Sequence, residues 1–248
     1  MTRKIFAALA LTTALALPAA AFDISDMTEG EKAAFGEAVR DYLMENPEVL
    51  IESINVLEQR QQAQEAQDDV TLVETNAKDI FEDGYSWVGG NPEGDVTMVE
   101  FLDYRCGYCK KAYEAVEKLL KEDGNIRFII KEFPILGDQS DLAARFAVAV
   151  QQIAGDGAYV DVHNTLMTFR GDITMDSLKR LAETKSLDAD AIIKRMNEEP
   201  VTAVLRQNHQ LAARLKVSGT PAFVIGTEMM RGYAPYETMA SIVDSQRD

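Results

Sequence analysis

The sequence predicts an α/β protein whose sheet is interrupted by a long helical insertion and preceded by an N-terminal helical arm. Residues 96–102 and 125–130 are rich in β-forming apolar residues, and a helical pattern separates them. A strand, helix, strand unit of this length implies a parallel pair of strands. Far downstream, residues 222–226 and 228–232 have the pattern of a strand and its hairpin partner. We therefore expect one sheet built from both parts of the chain.

The first 21 residues have the composition of an export signal. Arg3 and Lys4 supply positive charge, residues 5–17 form an apolar core too short for a membrane span, and Ala21 ends a run of small residues suited to cleavage. We expect cleavage near Ala21 and export to the periplasm, with a retained signal anchor as the alternative. Since no second apolar run reaches the roughly twenty residues of a membrane span, we expect no stable membrane insertion.

The charge of the chain argues against one class of partner. Its formal net charge of −16 becomes −18 if Arg3 and Lys4 leave with the signal. Binding of nucleic acid requires clustered Lys and Arg to neutralise phosphates, so we expect no nucleic-acid partner. An acidic surface of this kind favours solubility.

Residues 22–69 are expected to form the helical arm, followed by a linker or helix at 70–84. Thr28 and Glu31 fit a capping box, and Asn46-Pro47 has the pattern of an N-cap and first helical residue. Apolar residues recur every seven positions at Leu43, Leu50 and Leu57. The stripe is too narrow to form a core alone, so it packs either on the main domain of the same chain or on the arms of other copies.

The main domain is expected at 85–248, with its helical insertion at about 138–216. A turn at 89–95 precedes the first strand of the βαβ unit. Within the insertion, helix-start signals occur at Ser140, Thr174, Asp188 and Glu199-Pro200, and a terminal helix follows at 235–243.

Both cysteines of the chain, Cys106 and Cys109, lie three residues apart where the strand 96–102 leads into the next helix. A disulfide across so short a loop contributes little to stability, which suits a bond that opens and closes. A helix N-terminus favours a thiolate, and Arg105, Lys110 and Lys111 add positive charge. We expect Cys106, at the helix start, to be the exposed nucleophile and Cys109, one turn inside, to be the resolving thiol.

Other chemistries for this cysteine pair stay open at this point. A zinc site would need His163 and His209, both distant in sequence, and haem attachment would need His where Lys110 stands. We therefore predict no metal site. A purely structural disulfide and Cu(I) capture by the two soft sulfurs remain alternatives.

The motifs around the two cysteines resemble those of a known family. Cys-Gly-Tyr-Cys after a strand, a long helical insertion, and Ser218-Gly219-Thr220-Pro221-Ala222 before a hairpin are similar to the DsbA-like branch of the thioredoxin superfamily. The likeness extends from about Tyr85 to the C-terminus. The arm, with Tyr42-Leu43-Met44-Glu45-Asn46-Pro47, resembles that of ScsC-type members.

This resemblance implies a thioredoxin-like fold and a set of site residues. Cys106 would attack a substrate protein, the client, and form a mixed disulfide with it. Cys109 would resolve this mixed disulfide, and Glu100, beneath the two cysteines, would relay a proton. Pro221 would be a cis-proline, and it would contact the client together with Thr220, Gly107 and Tyr108. No cofactor is implied. Gly107-Tyr108 differs from the Pro-His pair of the strongest oxidases, which favours a milder redox couple.

The expected function is therefore thiol–disulfide exchange on other exported proteins. We favour an isomerase or reductase that acts as an oligomer assembled through residues 28–67. The resemblance to ScsC-type members implies that this oligomer is a trimer. The alternative is a monomeric oxidase, and in either case a membrane thiol-redox partner would reset the dithiol. A different class of function is a chaperone or copper-binding module that uses the same thiols.

Overall fold

The computed structural model describes residues 27–247, so the predicted signal segment 1–21 lies outside the described residues. The chain divides into two compact units, Met1–Gln59 and Arg60–Asp248. The helices are α1 (Glu29–Glu45), α2 (Glu48–Thr75), α3 (Ala77–Phe81), α4 (Gly107–Asp123), α5 (Asp138–Ala154), α6 (Asp156–Thr168), α7 (Met175–Thr184), α8 (Ala189–Arg195), α9 (Glu199–Arg214) and α10 (Tyr236–Ser245). The strands are β1 (Trp87–Gly90), β2 (Val96–Leu102), β3 (Ile126–Glu132), β4 (Ala222–Ile225) and β5 (Glu228–Arg231).

The described part of the first unit is helical, as predicted. The capping box is confirmed, because the Thr28 side chain accepts from the Glu31 backbone N–H while the Glu31 carboxylate accepts from the Thr28 N–H at 2.8 Å. Asn46 differs from the prediction of an N-cap. It ends α1, and its side-chain amide donates to the Tyr42 carbonyl at 2.9 Å. The following helix begins at Glu48, one residue after Pro47.

The apolar side chains of the first unit lie exposed. No residue of α1 is buried. Leu50 remains 49% exposed and Leu57 55%. The same is true of Phe35, Val39, Tyr42, Met44, Ile51, Ile54 and Val56. Exposed apolar surface on this scale is unusual for an isolated helical pair and indicates a surface suited to further burial.

The second unit is built on a five-stranded mixed sheet with the order β1-β3-β2-β4-β5. Strands β2 and β3 pair in parallel, which confirms the predicted βαβ unit. The other neighbours, β1 with β3, β2 with β4 and β4 with β5, pair antiparallel. The predicted boundary at 69/70 falls inside α2, which continues to Thr75 and buries Val73.

The two faces of the sheet have separate cores. Met98 and Leu102 of β2 point to the face covered by α4 and the insertion helices. Val99 and Phe101 point to the opposite face, where Val73 and Ile80 pack. Since side chains alternate along a strand, Glu100 shares the first face with Met98 and Leu102.

The insertion contains the helices α5 to α9, and most predicted starts are confirmed. Thr174 and Asp188 cap α7 and α8 with their side chains, and α9 begins at Glu199 with a proline in its first turn. The helix predicted from Ser140 begins at Asp138 instead, after Gly137 with a φ of 95°. Among residues 27–247, no helix combines the length and apolar character needed to cross a bilayer.

Candidate active site

The first cysteine lies at the junction between β2 and α4. Cys106 is the N-cap of α4, and its sulfur accepts from the backbone N–H of Cys109 at 3.4 Å. The backbone carbonyl of Asp103 accepts a hydrogen bond from the Cys106 N–H at 3.0 Å, which closes a tight turn before the helix. The sulfur therefore faces the unpaired N–H groups and partial positive charge of a helix N-terminus.

Chain segments far apart in sequence meet at this sulfur. The Cys106 thiol donates to the backbone carbonyl of Thr220 at 3.1 Å, across 114 positions of sequence. The Thr220–Pro221 peptide bond is cis. The sulfur of Cys106 is thus placed against the loop that leads into β4, with the cysteine 6% exposed. Cys106 is less exposed than the sequence predicts, because this loop covers it.

Cys109 and Glu100 lie behind Cys106, inside the core. Cys109 is fully buried and Glu100 is 3% exposed. Burial raises the pKa of Glu100 to about 8, with a second contribution from the negative charge of Glu132. Burial also raises the pKa of the Cys109 thiol, and the Glu100 carboxylate adds to that effect. Both cysteines are free thiols here. The site therefore combines a sulfur at the helix start, in a cysteine that is 6% exposed, with a fully buried sulfur whose proton is hard to remove.

The sequence does not single out Asp103, yet this residue holds the loop that presents Cys106. Its carboxylate is buried and accepts the Arg105 N–H at 2.7 Å. It also accepts the N–H groups of Ile135 and Leu136, at 2.8 and 3.1 Å. One carboxylate thus connects the turn before α4 to the loop after β3. The only local signal is an acidic residue at the end of an apolar strand.

Asp103→Asn is expected to lower the free energy of unfolding by about 3 kcal/mol, because one amide group cannot accept from all three backbone donors. Urea unfolding followed by circular dichroism measures this change. The exposed Asp176, on α7, provides a control, and Asp176→Asn should change stability by less than about 1 kcal/mol. Equal small changes in both variants would contradict the role given to Asp103.

A second buried polar cluster, also missed by the sequence prediction, lies next to the cysteines. The Glu132 carboxylate accepts the hydroxyls of Tyr104 at 2.6 Å and Tyr159 at 2.7 Å. The Tyr104 hydroxyl also lies 3.1 Å from Nδ1 of His163. Burial raises the pKa of Glu132 to about 8 and lowers the pKa of His163 to about 4, so His163 is neutral at pH 7. The cluster joins β3, the loop before Cys106 and α6.

The three basic residues beside the cysteines contact neighbouring segments of the fold. Arg105 donates to the Gly171 carbonyl at 2.9 Å, and Lys110 donates to the Phe169 carbonyl at 2.6 Å. The Lys111 ammonium lies 4.3 Å from the centre of the Tyr233 ring. Arg105 and Lys110 thus hold the insertion against the start of α4, whereas Lys111 contacts the segment between β5 and α10.

Two clefts open beside the cysteines. One, of about 250 Å³, is lined by residues 217–221 together with Arg231 and Gly232. The other, of about 290 Å³, lies between the start of α4 and residues 167–170. Tyr108 is 65% exposed between the two cysteines, and a side chain at Gly107 would meet open space. The surface around Cys106 is therefore open to an extended segment of another protein.

The two histidines do not approach the cysteines as a metal-binding set. His163 is buried in the Glu132 cluster, and His209 lies on α9 with its ring 4.8 Å from that of Phe133. In the part of the chain that the structure describes, no group of three or more His, Cys, Asp or Glu side chains could hold a metal ion.

Two known families match the chain. Residues 97–244 match the DSBA-like thioredoxin domain, and residues 31–64 match the copper resistance protein ScsC N-terminal domain. The first match includes the cysteines, the insertion and the loop of Thr220. The second falls within the helical arm.

Solved structures have the same fold. A thioredoxin-like oxidoreductase from Silicibacter pomeroyi is 38% identical, with a TM-score of 0.65 over 68% of this chain and 96% of that one. The thiol-disulfide exchange protein alpha-DsbA2 from Wolbachia pipientis is 26% identical, with a TM-score of 0.67 over 73% of this chain and 97% of that one.

A curated relative is the Na(+)/H(+) antiporter NhaA 3 of Salinispora tropica, which is 30% identical over 158 residues, or 64% of this chain. The match spans only 24% of that antiporter's length.

Proposed function

The chain belongs to the DSBA-like thioredoxin domain family, and we propose that it exchanges disulfide bonds with exported client proteins through Cys106 and Cys109. The observation that carries this proposal is the position of the Cys106 sulfur, at a helix N-terminus and against the Thr220 carbonyl, with a buried thiol one helical turn behind it. The similarity to the thioredoxin-like oxidoreductase of Silicibacter pomeroyi and the thiol-disulfide exchange protein of Wolbachia pipientis supports the same chemistry.

The exchange begins at Cys106. In the reductive direction its thiolate attacks one sulfur of a client disulfide, forms a mixed disulfide and releases the other client sulfur as a thiolate. Cys109 then loses its proton and attacks the Cys106 sulfur, which breaks the bond to the client. The second client thiolate leaves and takes a proton from solvent. The reverse sequence oxidises a client dithiol with the same atoms.

Glu100 is the proposed proton partner of Cys109. When Cys109 attacks, the Glu100 carboxylate accepts the thiol proton, and when Cys109 leaves as a thiolate, the protonated carboxyl returns it. A general acid–base group works in both directions when its pKa lies near the working pH. The pKa of about 8 that burial imposes on Glu100 meets this condition.

Client binding is proposed at the surface formed by Thr220, Pro221, Gly107 and Tyr108. The backbone of Thr220 is placed beside the Cys106 sulfur, where an extended client segment could add backbone hydrogen bonds. The clefts on either side would receive the neighbouring client side chains.

Reduction of insulin by dithiothreitol in the presence of the full mature chain tests the exchange reaction. Catalysed precipitation of the insulin B chain is expected, and a rate equal to that of dithiothreitol alone would contradict the proposal. Cys106→Ala serves as the inactive comparison.

We further propose that the arm joins copies of the chain and that the oligomer acts as an isomerase or reductase. Exposed apolar residues on α1 and the first part of α2 support this, since helices of this kind gain most of their stability from packing. Residues 31–64, which match the ScsC N-terminal domain, include all of these exposed apolar residues. Several dithiols facing one misfolded client would favour reshuffling over simple oxidation.

Leu50→Gln/Leu57→Gln in the full chain is expected to dissociate the oligomer to a monomer and to lower the refolding of scrambled ribonuclease by about tenfold. Size-exclusion chromatography with light scattering measures the mass. The control Glu52→Gln/Glu58→Gln changes two exposed residues of the same helix and should keep both properties. A wild-type monomer with negligible isomerase activity would favour the alternative, a monomeric oxidase.

The proposed setting is the periplasm. Residues 1–21 have the pattern of an export signal. A dithiol that exchanges with clients must be reset, and we propose a membrane thiol-redox partner for that step. Its own dithiol or disulfide would exchange with Cys106 in the same way as a client does.

Copper binding is a second candidate, because residues 31–64 match a domain described as part of a copper resistance protein. Two adjacent thiolates are soft ligands suited to Cu(I). Cu(I) binding that requires Cys106, in a wild-type chain without insulin reduction, would favour this function over exchange.

A further inference from the structure

We infer that Glu132 is a positioning residue for the proposed exchange: with Glu100 it forms a buried carboxyl pair in which the charge on one member controls the proton on the other. This inference rests on the proposed function for its purpose, although the pair itself can be tested without any client.

Strand register brings the two carboxyl groups to one face of the sheet. In the parallel pairing of β2 with β3, Glu100 lies opposite Ile130 and Leu102 opposite Glu132. Glu100 and Glu132 are therefore diagonal neighbours, on the face where Leu102, Ile130 and Cys109 belong to one core. Neighbours of this kind have Cα atoms about 7–8 Å apart, so long side chains can interact.

The surroundings leave one oxygen of each carboxyl without a protein partner. Oε1 of Glu132 accepts both tyrosine hydroxyls, whereas its Oε2 is buried with no hydrogen-bond partner among the described residues. Oε1 of Glu100 is likewise buried with no hydrogen-bond partner among the described residues. Buried carboxyl oxygens without a donor favour the protonated form. A second negative charge beside the first costs more than the first, so the two carboxyls do not ionise independently.

Among the described residues, no cation compensates the pair. The ionisable groups that face it are Cys109 on α4, Asp103 and Tyr104 in the loop after β2, and Tyr159 and His163 on α6. His163 is neutral at pH 7 because burial lowers its pKa to about 4. Lys131 points to the opposite face of β3, where it binds Asp83. Within residues 27–247, no Lys or Arg forms a salt bridge with Glu100 or Glu132.

The pair has a direct consequence for the exchange reaction. When Cys109 gives its proton to the Glu100 carboxylate, the pair gains one proton and loses one negative charge, and the new thiolate attacks Cys106. An ionised Glu132 makes Glu100 a stronger proton acceptor, because protonation of Glu100 then removes the repulsion between two negative charges. Glu132 thus acts on Cys109 through Glu100 without contacting the sulfur or the client.

Glu132→Gln tests the coupling, since the amide keeps an acceptor for both tyrosine hydroxyls. In the reduced wild-type protein, ¹³C NMR of labelled glutamate side chains should show the two carboxyls titrating in two coupled steps. In Glu132→Gln, Glu100 should titrate in one step, at a pH about one unit below the upper wild-type step. Glu100→Gln should lower the pH at which Glu132 titrates by a similar amount, because coupling is reciprocal.

Tyr159→Phe is the control for disturbance of the cluster alone. It removes one hydrogen bond to Glu132 and keeps both carboxyls, so the two-step titration should persist. If Glu100 titrates at the same pH in wild type and Glu132→Gln, the coupling is refuted. If Glu132→Gln fails to fold, the reciprocal shift in Glu100→Gln decides the question.

Kinetics provide a second readout that separates this inference from the proposed function. The pH midpoint for resolution of a mixed disulfide between Cys106 and a model peptide should move down by about one unit in Glu132→Gln. An unmoved midpoint beside a shifted Glu100 titration would mean that the pair exists but does not serve resolution, which overturns the positioning role. A chain that forms no mixed disulfide refutes the proposed function, while the NMR titration still tests the pair.

Discussion

Cys106→Ala is expected to abolish insulin reduction, with a loss of more than about 100-fold that reaches the rate of dithiothreitol alone. The only other sulfur nucleophile, Cys109, is fully buried, and burial raises the pKa of its thiol. Cys109 therefore cannot replace Cys106 in attacking a client disulfide. Turbidity of precipitating insulin measures the rate, and retention of more than a tenth of the wild-type activity would contradict the assignment.

Cys109→Ala is the matched variant for this experiment. It keeps the attacking sulfur at the start of α4 and removes the thiol that releases the client. Mixed disulfides with clients should accumulate on non-reducing gels, and they should be absent from Cys106→Ala. The opposite distribution would exchange the roles of the two cysteines.

Asp83→Ala is expected to destabilise the protein by about 3–5 kcal/mol, the range for removal of one partner from a buried ion pair. Lys131 is fully buried, and its ammonium binds Asp83 and the Asp79 carbonyl. The same Asp83 carboxylate accepts from Tyr85 and Ser86, including the Ser86 hydroxyl at 2.6 Å. Urea unfolding measures the loss.

The double variant Asp83→Ala/Lys131→Met separates the ion pair from the turn contacts. Removing the stranded ammonium should restore about half of the lost stability, because an apolar side chain suits the buried position. A double variant less stable than Asp83→Ala would show that Lys131 stabilises the fold without its carboxylate.

Local patterns in the sequence were sufficient to predict the main secondary structure. The strand at 96–102, the helix that begins at Gly107, the βαβ pairing and the caps Thr28, Thr174 and Asp188 are as expected. Each of these depends on residues close together in the chain, such as a capping side chain and the N–H groups it accepts from. Asn46 was wrongly assigned because an asparagine before proline suits a helix end as well as a helix start.

Contacts between distant segments could not be read from such patterns. Thr220 was connected to Cys106 through a family resemblance, and the hydrogen bond between them spans 114 positions. Asp103, Tyr104 and Glu132 were not predicted at all. An acidic residue near the end of an apolar strand has the same local appearance whether it faces solvent, a backbone loop or two tyrosine hydroxyls.

The sequence by itself determined where the dithiol lies, that it begins a helix, and which of its sulfurs is nearer the helix N-terminus. Capping and periodicity act over a few residues, so they can be read from the sequence. Only the tertiary structure decided that the Thr220 loop covers Cys106 and that Glu100 and Glu132 share one buried face. The physical reason is that pKa values and access to a thiol depend on burial and on charges in space. Those are set when strands and helices pack, whatever their order in the chain.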